Sequence, residues 1–396
     1  MSRRACEGRV SVLTPAGRGA IAVVAAEGLA AAAAADLHFE AANRRPFHQQ
    51  QIGRIVFGHW RAAGDHREEV IACRQSAGQF ELHCHGGVAA AARIVAALVE
   101  AGCRATTWQE WRRDGGECPI AAQADVALAA ATTRRTAAIL LDQRHGALAA
   151  ALRAAASEML RGDRAAARAR LAELLRWSSL GRRLAEPWRV AIAGRPNVGK
   201  SSLLNAMVGY QRAIVFDQPG TTRDVLTADT AIDGWPVRLS DSAGIRESTD
   251  PLEAEGVSRA KAQLTQVDLV LWVLDATDID MARPTAASAA LMRDAGGQAN
   301  DLPKARALVT ALNKVDRVAL RPDLPLLGVS ALTGEGLDQL LAAIAQKLVP
   351  ELPPAGAAIP FTSGQVASIE RAVARLDEGD LTAAAAELAG IGERGA

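Results

Sequence analysis

Residues Gly194 to Ser202 read GRPNVGKSS and follow the apolar run VAIA, Val190 to Ala193. A loop of this composition leaves few options for what surrounds it. Gly194, a spacer, then Gly199, Lys200 and Ser201 form a turn that leaves a buried strand and enters a helix at once, here SSLLNAMVG. The glycines allow successive backbone N–H groups to turn inward around phosphate oxygens. Lys200 supplies a point charge for β- and γ-phosphates, and the Ser201 hydroxyl is suited to complete a Mg²⁺ shell. Asn197, Val198, Gly199, Lys200, Ser201 and Ser202 are therefore read as a phosphate-binding loop.

Such a loop belongs to an α/β sheet, and residues 188–350 carry the matching alternation. Apolar strands WRVAIAG, VRLSDSAG, VDLVLWVLDA, ARALVTALNKVD and LLGVSA are separated by helical stretches, which predicts a mainly parallel sheet with helices on both faces. At 396 residues and 49% hydrophobic content the chain exceeds one typical core. Residues 1–118 alternate short apolar runs with turns, as in GRVSVLTPAGRGAIAVVAA, QIGRIVFGHW and FELHCHGG. They predict a small α/β domain, with strands first and a helix after Gly87. From Ala121 to Leu184 the chain is Ala, Leu and Arg with sparse turn signals, which predicts two or three long helices. The linker PELPPAG, Pro350 to Gly356, leads into a helical tail expected to pack on that block. The expected domains are 1–118, a helical domain in two segments 119–187 and 351–396, and the inserted 188–350.

Composition excludes some partners. Forty-five Lys and Arg against 44 Asp and Glu leave a formal charge of +1, so the chain is not a globally basic nucleic-acid binder, although local patches are permitted. Its five cysteines, Cys6, Cys73, Cys84, Cys103 and Cys118, lack zinc-ribbon or disulfide spacing and fit a reducing cytoplasm. MSRRACEGRVSV has no apolar stretch of signal-sequence length, and no membrane insertion is expected.

Further segments come in the order that a nucleotide switch requires. Thr221-Thr222-Arg223-Asp224 offers the Thr222 hydroxyl to Mg²⁺ and its N–H to a γ-phosphate. Asp241-Ser242-Ala243-Gly244 closes the strand VRLS; Asp241 is suited to hold the metal through water, and the Gly244 amide to sense the γ-phosphate. Asn313-Lys314-Val315-Asp316 chooses the base. A carboxylate such as Asp316 accepts from both N1–H and the exocyclic amine of guanine, whereas adenine offers neither donor there. Left unpaired and buried it would cost about 1–3 kcal/mol. Ser330-Ala331-Leu332 is then expected to cover the base with a backbone amide to O6. The reading is a GTP/GDP site and a GTP hydrolase.

With these segments the chain resembles the MnmE (TrmE) family of tRNA-modification GTPases, in the TrmE-Era-EngA-YihA-Septin-like branch. The stretch AIVFDQPGTTRDVLTADTAIDGWPVRLSDSAGIRE, Ala213 to Glu247, is similar to that family nearly residue for residue. TPAGRGAIAVV (Thr14 to Val24) and ELHCHGG (Glu81 to Gly87) look like its N-terminal folate-binding domain. The resemblance implies a folate-binding-like α/β domain and a helical domain interrupted by a P-loop GTPase domain. It implies a cytoplasmic homodimer, a tetrahydrofolate derivative as a second ligand, and tRNA with an FAD-dependent, MnmG-like enzyme as partners.

Where many small GTPases have a water-orienting glutamine, this chain has Ile245. The resemblance assigns that work to Glu253 in AGIRESTDPLEAEG, either through a bridging water or, on the plainer reading, not at all, as one of several solvated carboxylates. Catalytic groups on this reading are Glu253, Lys200, Thr222 and Gly244. It also implies a K⁺ ion in lieu of an arginine finger, held by Asn197 and by loop carbonyls such as those of Phe216, Gln218 and Thr221; Asn197 reads equally as a loop-shaping residue. In His83-Cys84-His85, strand alternation turns Cys84 away from both histidines, which suits a strand end near a ligand better than a metal site. Two departures stand out. The segment Ala105 to Ala131 lacks the family's proline-glycine-glutamate-phenylalanine block, and the sequence ends GIGERGA without the family's C-terminal cysteine motif. The alternative is therefore a regulatory or assembly GTPase that has lost the tRNA-modifying chemistry.

Overall fold

The computed structural model describes residues 8–15, 17, 19–61, 67–115, 118–210, 227–241, 267–278, 307–318 and 326–393. Two compact units divide the chain, Met1–Glu117 and Cys118–Ala396.

In the first unit, strands β1 (Arg9–Val12), β2 (Ile21–Glu27), β3 (Phe39–Ala41), β4 (Ile55–Arg61), β5 (Arg67–Arg74), β6 (Gln79–His85) and β7 (Arg104–Ala105) form one sheet in the order β3-β4-β5-β6-β2-β1-β7. Neighbours pair antiparallel apart from β1 and β7. Period-two alternation sends Val56 and Trp60 of β4, with Phe80, Leu82 and Cys84 of β6, into the core. Helices α1 (Leu29–His38) and α2 (Val88–Glu100) contribute Ala31, Ala35, Ile94 and Leu98 to the same cluster. Helix α1 comes between strands, where the sequence reading has no helix; its alanine run is a strong helix former that periodicity alone does not flag. A short α3 (Trp108–Arg113) opens with Thr107 and Glu110 in a capping box.

The second unit opens with α4 (Pro119–Ala130), α5 (Arg134–Arg144), α6 (Ala147–Leu160), α7 (Arg164–Arg176) and the short α8 (Ser178–Gly181). These are more and shorter than the long helices expected from sequence. The breaks fall at Gly146 and Gly162, both at positive φ (102° and 82°), and before Thr133 and Asp163, whose side chains cap α5 and α7. Helices α11 (Ser363–Glu378) and α12 (Leu381–Glu393) pack back on α7 and α6. Arg168 forks onto Asp377 at 3.0 and 3.1 Å, and Arg164 donates to Leu376 O at 2.7 Å. The fully buried Gln143 of α5 clamps the connecting segment: its Nε2 donates to Ala357 O (2.9 Å) and its Oε1 accepts from Ile359 N (3.0 Å).

Between the helical segments lies a sheet of β8 (Trp188–Ala193), β9 (Thr227–Ile232), β10 (Trp235–Asp241), β11 (Leu269–Asp275), β12 (Ala307–Asn313) and β13 (Leu327–Gly328), in the order β13-β12-β11-β8-β10-β9. All neighbours are parallel except the β9–β10 hairpin. Every residue of β11 is buried, as expected for a strand covered on both sides. Val190, Ile192, Leu271 and Val273 face one core, while Ala191, Ala193, Trp272 and Leu274 face the other. Helices α9 (Lys200–Tyr210) and α10 (Leu337–Leu348) supply Leu203, Met207, Leu340 and Ile344 to the first core. LLGVSA yields only a two-residue strand: the Val329 N–H still donates to Leu312 O of β12, but the Val329 carbonyl accepts from Val315 N and the Ser330 N–H donates to Glu335 O in the next loop.

Replacing Gln143 with leucine would leave the buried Ile359 N–H and the part-buried Ala357 C=O without their partner. We expect a loss of about 1–4 kcal/mol from the second unit, the buried N–H costing about 1–3 kcal/mol and the part-buried carbonyl less. Chemical denaturation followed by tryptophan fluorescence measures it, and an unshifted midpoint would refute the clamp.

Candidate functional site

The chain runs from β8 out to β10 on one side of the sheet and returns to β11 on the other, so the strand order reverses beside β8. Ligand crevices in open α/β sheets lie at the carboxyl ends of strands at such a point. The carboxyl ends of β8, β10, β11 and β12 bring Gly194, Asp241, Asp275 and Asn313 to that edge.

Gly194 has φ 150°, and a Cβ there would sit 2.3 Å from Val273 O on the adjacent strand. The loop then takes Asn197 (φ 64°) and Gly199 (φ 93°) through left-handed conformations before α9 begins at Lys200. Alternating hands of this kind turn backbone N–H groups toward one point, at the positive end of a helix. Lys200 Nζ donates to Gly194 O (3.1 Å) and Arg195 O (2.9 Å), so the ammonium is folded over the loop. Val198 is buried beneath it, whereas Asn197 and Ser202 are exposed. Ser201 Oγ donates to Asp241 Oδ2 at 2.6 Å, and the β8–β10 register of Ile192 with Asp241 holds that carboxylate beside the loop.

The base-side segments are tied to the same loop. Asn313, 1% exposed, donates from Nδ2 to Val198 O (2.9 Å) and accepts at Oδ1 from Ala331 N (3.1 Å). Lys314, itself at φ 66°, donates from Nζ to Asn197 O at 2.7 Å. Ser330 Oγ donates to Asp316 Oδ1 (2.6 Å) and accepts from Thr333 N (3.1 Å), which fixes the carboxylate at the mouth of the crevice. Asp316 is exposed rather than buried, so the burial penalty invoked from sequence applies only once a ligand covers it.

One residue escaped the sequence reading. Asp275, at the end of β11, pairs with Lys314 Nζ at 2.5 Å and accepts from Thr277 N (3.0 Å) and Thr277 Oγ1 (2.8 Å). Burial alone would push its carboxyl up; hydrogen bonds from Lys314 and Thr277 outweigh that and hold it below the usual carboxylate range. The associated stability is complete above that range and is lost as pH falls through the lowered value. The available signal was a carboxylate closing the otherwise apolar run LVLWVLD.

Phe216, Gln218, Thr221, Thr222, Gly244, Ile245 and Glu253 lie outside the described residues. In the first unit, Cys84 points into the core and burial raises its thiol pKa, with Glu68 adding to the effect. His83 and His85 lie on the opposite face beside Glu81 and Glu68, at 3.3 and 2.9 Å.

A Cβ on Gly199 would meet Asn313 Nδ2 at 2.5 Å in a conformation that L side chains rarely adopt. Gly199→Ala should therefore break the Asn313 bridge and destabilise the nucleotide-free protein by about 1–3 kcal/mol. Equilibrium urea unfolding checks this, and wild-type stability would contradict it.

The family model described as 50S ribosome-binding GTPase matches residues 189–314. A tRNA modification GTPase MnmE from Symbiobacterium thermophilum is 34% identical over 383 residues, covering 85% of this chain and 81% of that protein. Its counterpart from Heliobacterium modesticaldum is 31% identical over 84% and 79%. The human mitochondrial 5-taurinomethyluridine-[tRNA] synthase subunit GTPB3 is 43% identical over 44% of this chain and 36% of its own. The long matches extend well beyond the GTPase domain, which does not favour the reading as a regulatory GTPase stripped of the family's chemistry. Similarity of this length and degree means that the chain belongs to the MnmE family of tRNA modification GTPases.

Proposed function

We propose that the chain binds GTP and GDP at the crevice described above and hydrolyses GTP in support of tRNA wobble-uridine modification. The observation that carries this reading is the junction at Asn313, which unites a phosphate loop and a base-reading loop in one site. The tRNA role rests on the names of the MnmE relatives.

In this reading Lys200 leaves its two loop carbonyls for β- and γ-phosphate oxygens, and Asp316 accepts from guanine while the Ser330-Ala331-Leu332 segment covers the base with a backbone amide to O6. Ser201 Oγ and Asp241 Oδ2 are hard oxygen groups side by side at the start of α9, the donor type that Mg²⁺ takes. Mg²⁺ bound there would neutralise phosphate charge. Ser201 and Thr222 would be direct ligands, with Asp241 acting through water and Gly244 reading the γ-phosphate. Asn197, exposed and at positive φ, with Phe216, Gln218 and Thr221, is the proposed K⁺ set, and Glu253 the water-positioning group. We further propose the division 1–118, 119–187 with 351–396, and 188–350, a tetrahydrofolate derivative bound by the first of these, and a cytoplasmic homodimer with tRNA and an FAD-dependent partner. Among the described residues no helix is long and apolar enough to cross a membrane.

GTP and GDP should bind with Mg²⁺ far better than ATP in isothermal titration; equal affinities would sink the proposal. Asp316→Asn should move preference toward xanthosine nucleotides, since an amide presents a donor where guanine also has one. Hydrolysis should run faster in K⁺ than in Na⁺, and identical rates in dimeric protein would remove the cation role. Glu253→Ala should lower the hydrolysis rate with GTP affinity nearly unchanged, because a group that positions water acts mainly in the transition state. A parallel fall in affinity would make Glu253 structural.

A further inference from the structure

We propose that Asp275 is the positioning residue of the base-reading loop, acting on the nucleotide through Lys314; this rests on the guanine-nucleotide reading of the site. Lys314 is the only element of NKVD whose side chain reaches the phosphate loop with a charge, and a lysine stem is long and freely rotating. A neutral carbonyl, Asn197 O, is one anchor. Asp275 is the other, and among the described residues it is the acidic group paired with that ammonium.

The carboxylate is itself fixed. Thr277 N and Oγ1 both donate to Oδ1, so Oδ2 is turned to Lys314, and the side chain of Asp275 is 9% exposed. Strand register sets Asp275 opposite Asn313, one strand over from the start of the base loop. A run of fixed contacts therefore leads from Thr277 through Asp275 and Lys314 to Asn197. A carboxylate whose work was to hold the fold would bond into the sheet or the core; this one bonds to a turn of its own and to a residue of the nucleotide loop. With the ammonium held, the loops on both sides of the nucleotide keep their spacing before it arrives, and less ordering is left to occur on binding.

The test is release of a ribose-labelled fluorescent GDP from full-length wild type, D275N, K314M and the double variant. D275N should speed release about tenfold, the scale of one hydrogen bond to a charged group. The double variant should release no faster than K314M alone, since residues acting through one another do not contribute independently. Release from D275N at the wild-type rate, or effects that multiply in the double variant, would overturn the proposal. Thr277→Val, which removes one of the bonds that aim the carboxylate, gives a second measure should D275N fold poorly. Its smaller acceleration should vanish in the K314M background, and persistence there would refute the route. A wild-type protein that binds no GDP would overturn the nucleotide reading and this inference together, whereas binding with an unaffected D275N overturns the inference alone.

Discussion

The carboxamide of Asn313 is the joint on which the site depends. Its two ends serve two loops that are far apart in sequence, Val198 through its carbonyl and Ala331 through its amide. The bond to Val198 is buried, where losing a partner costs most, and the bond from Ala331 is partly so. The absence of a side chain at position 199 is what lets the carboxamide approach so closely. Phosphate-side and base-side loops are consequently one framework even without a ligand, and the ordering cost of binding falls on other parts of the chain.

The sheet explains why this framework sits where it does. Strand β8 is flanked on one side by β10 and on the other by β11, both parallel to it, so three loops leave the same edge close together. Alternation gives the central strands β8 and β11 two apolar faces, and among the described residues α9 and α10 pack against one of them. The polar groups of the site, Asp241, Asp275 and Asn313, stand at the carboxyl ends of their strands and are themselves buried, so each is held by the hydrogen bonds it makes there. The first unit follows a different rule, with mostly antiparallel pairing and helices gathered at one core.

How much of this was legible depended on the range of the signal. Gly194, Gly199, Lys200 and Ser201 could be read because their spacing and local conformations are fixed by one turn. The strands β8, β10, β11 and β12 followed from apolar runs, but β9 did not, since TADTAI is too polar to stand out. Helix ends at Gly146 and Gly162 were misjudged because single glycines in an alanine-rich stretch carry little weight beside strong helix propensity. Asp275 was missed for a different reason: its partner stands 39 residues later, and no local pattern encodes an ion pair across two strands.

The Gln143 clamp has a consequence for the order of events during synthesis. Its partners are 214 and 216 residues further along the chain, and helices α11 and α12 that cover α6 and α7 are later still. At translation speeds of about 5–20 residues per second, the first helical segment waits many seconds for the residues that complete its core. Throughout that interval Leu148, Leu152 and Leu171 have no C-terminal cover, and the intervening sheet is built while its own support is unfinished. Such a topology folds through long-range closure rather than helix by helix, and its nascent form presents apolar helix faces that a chaperone can hold.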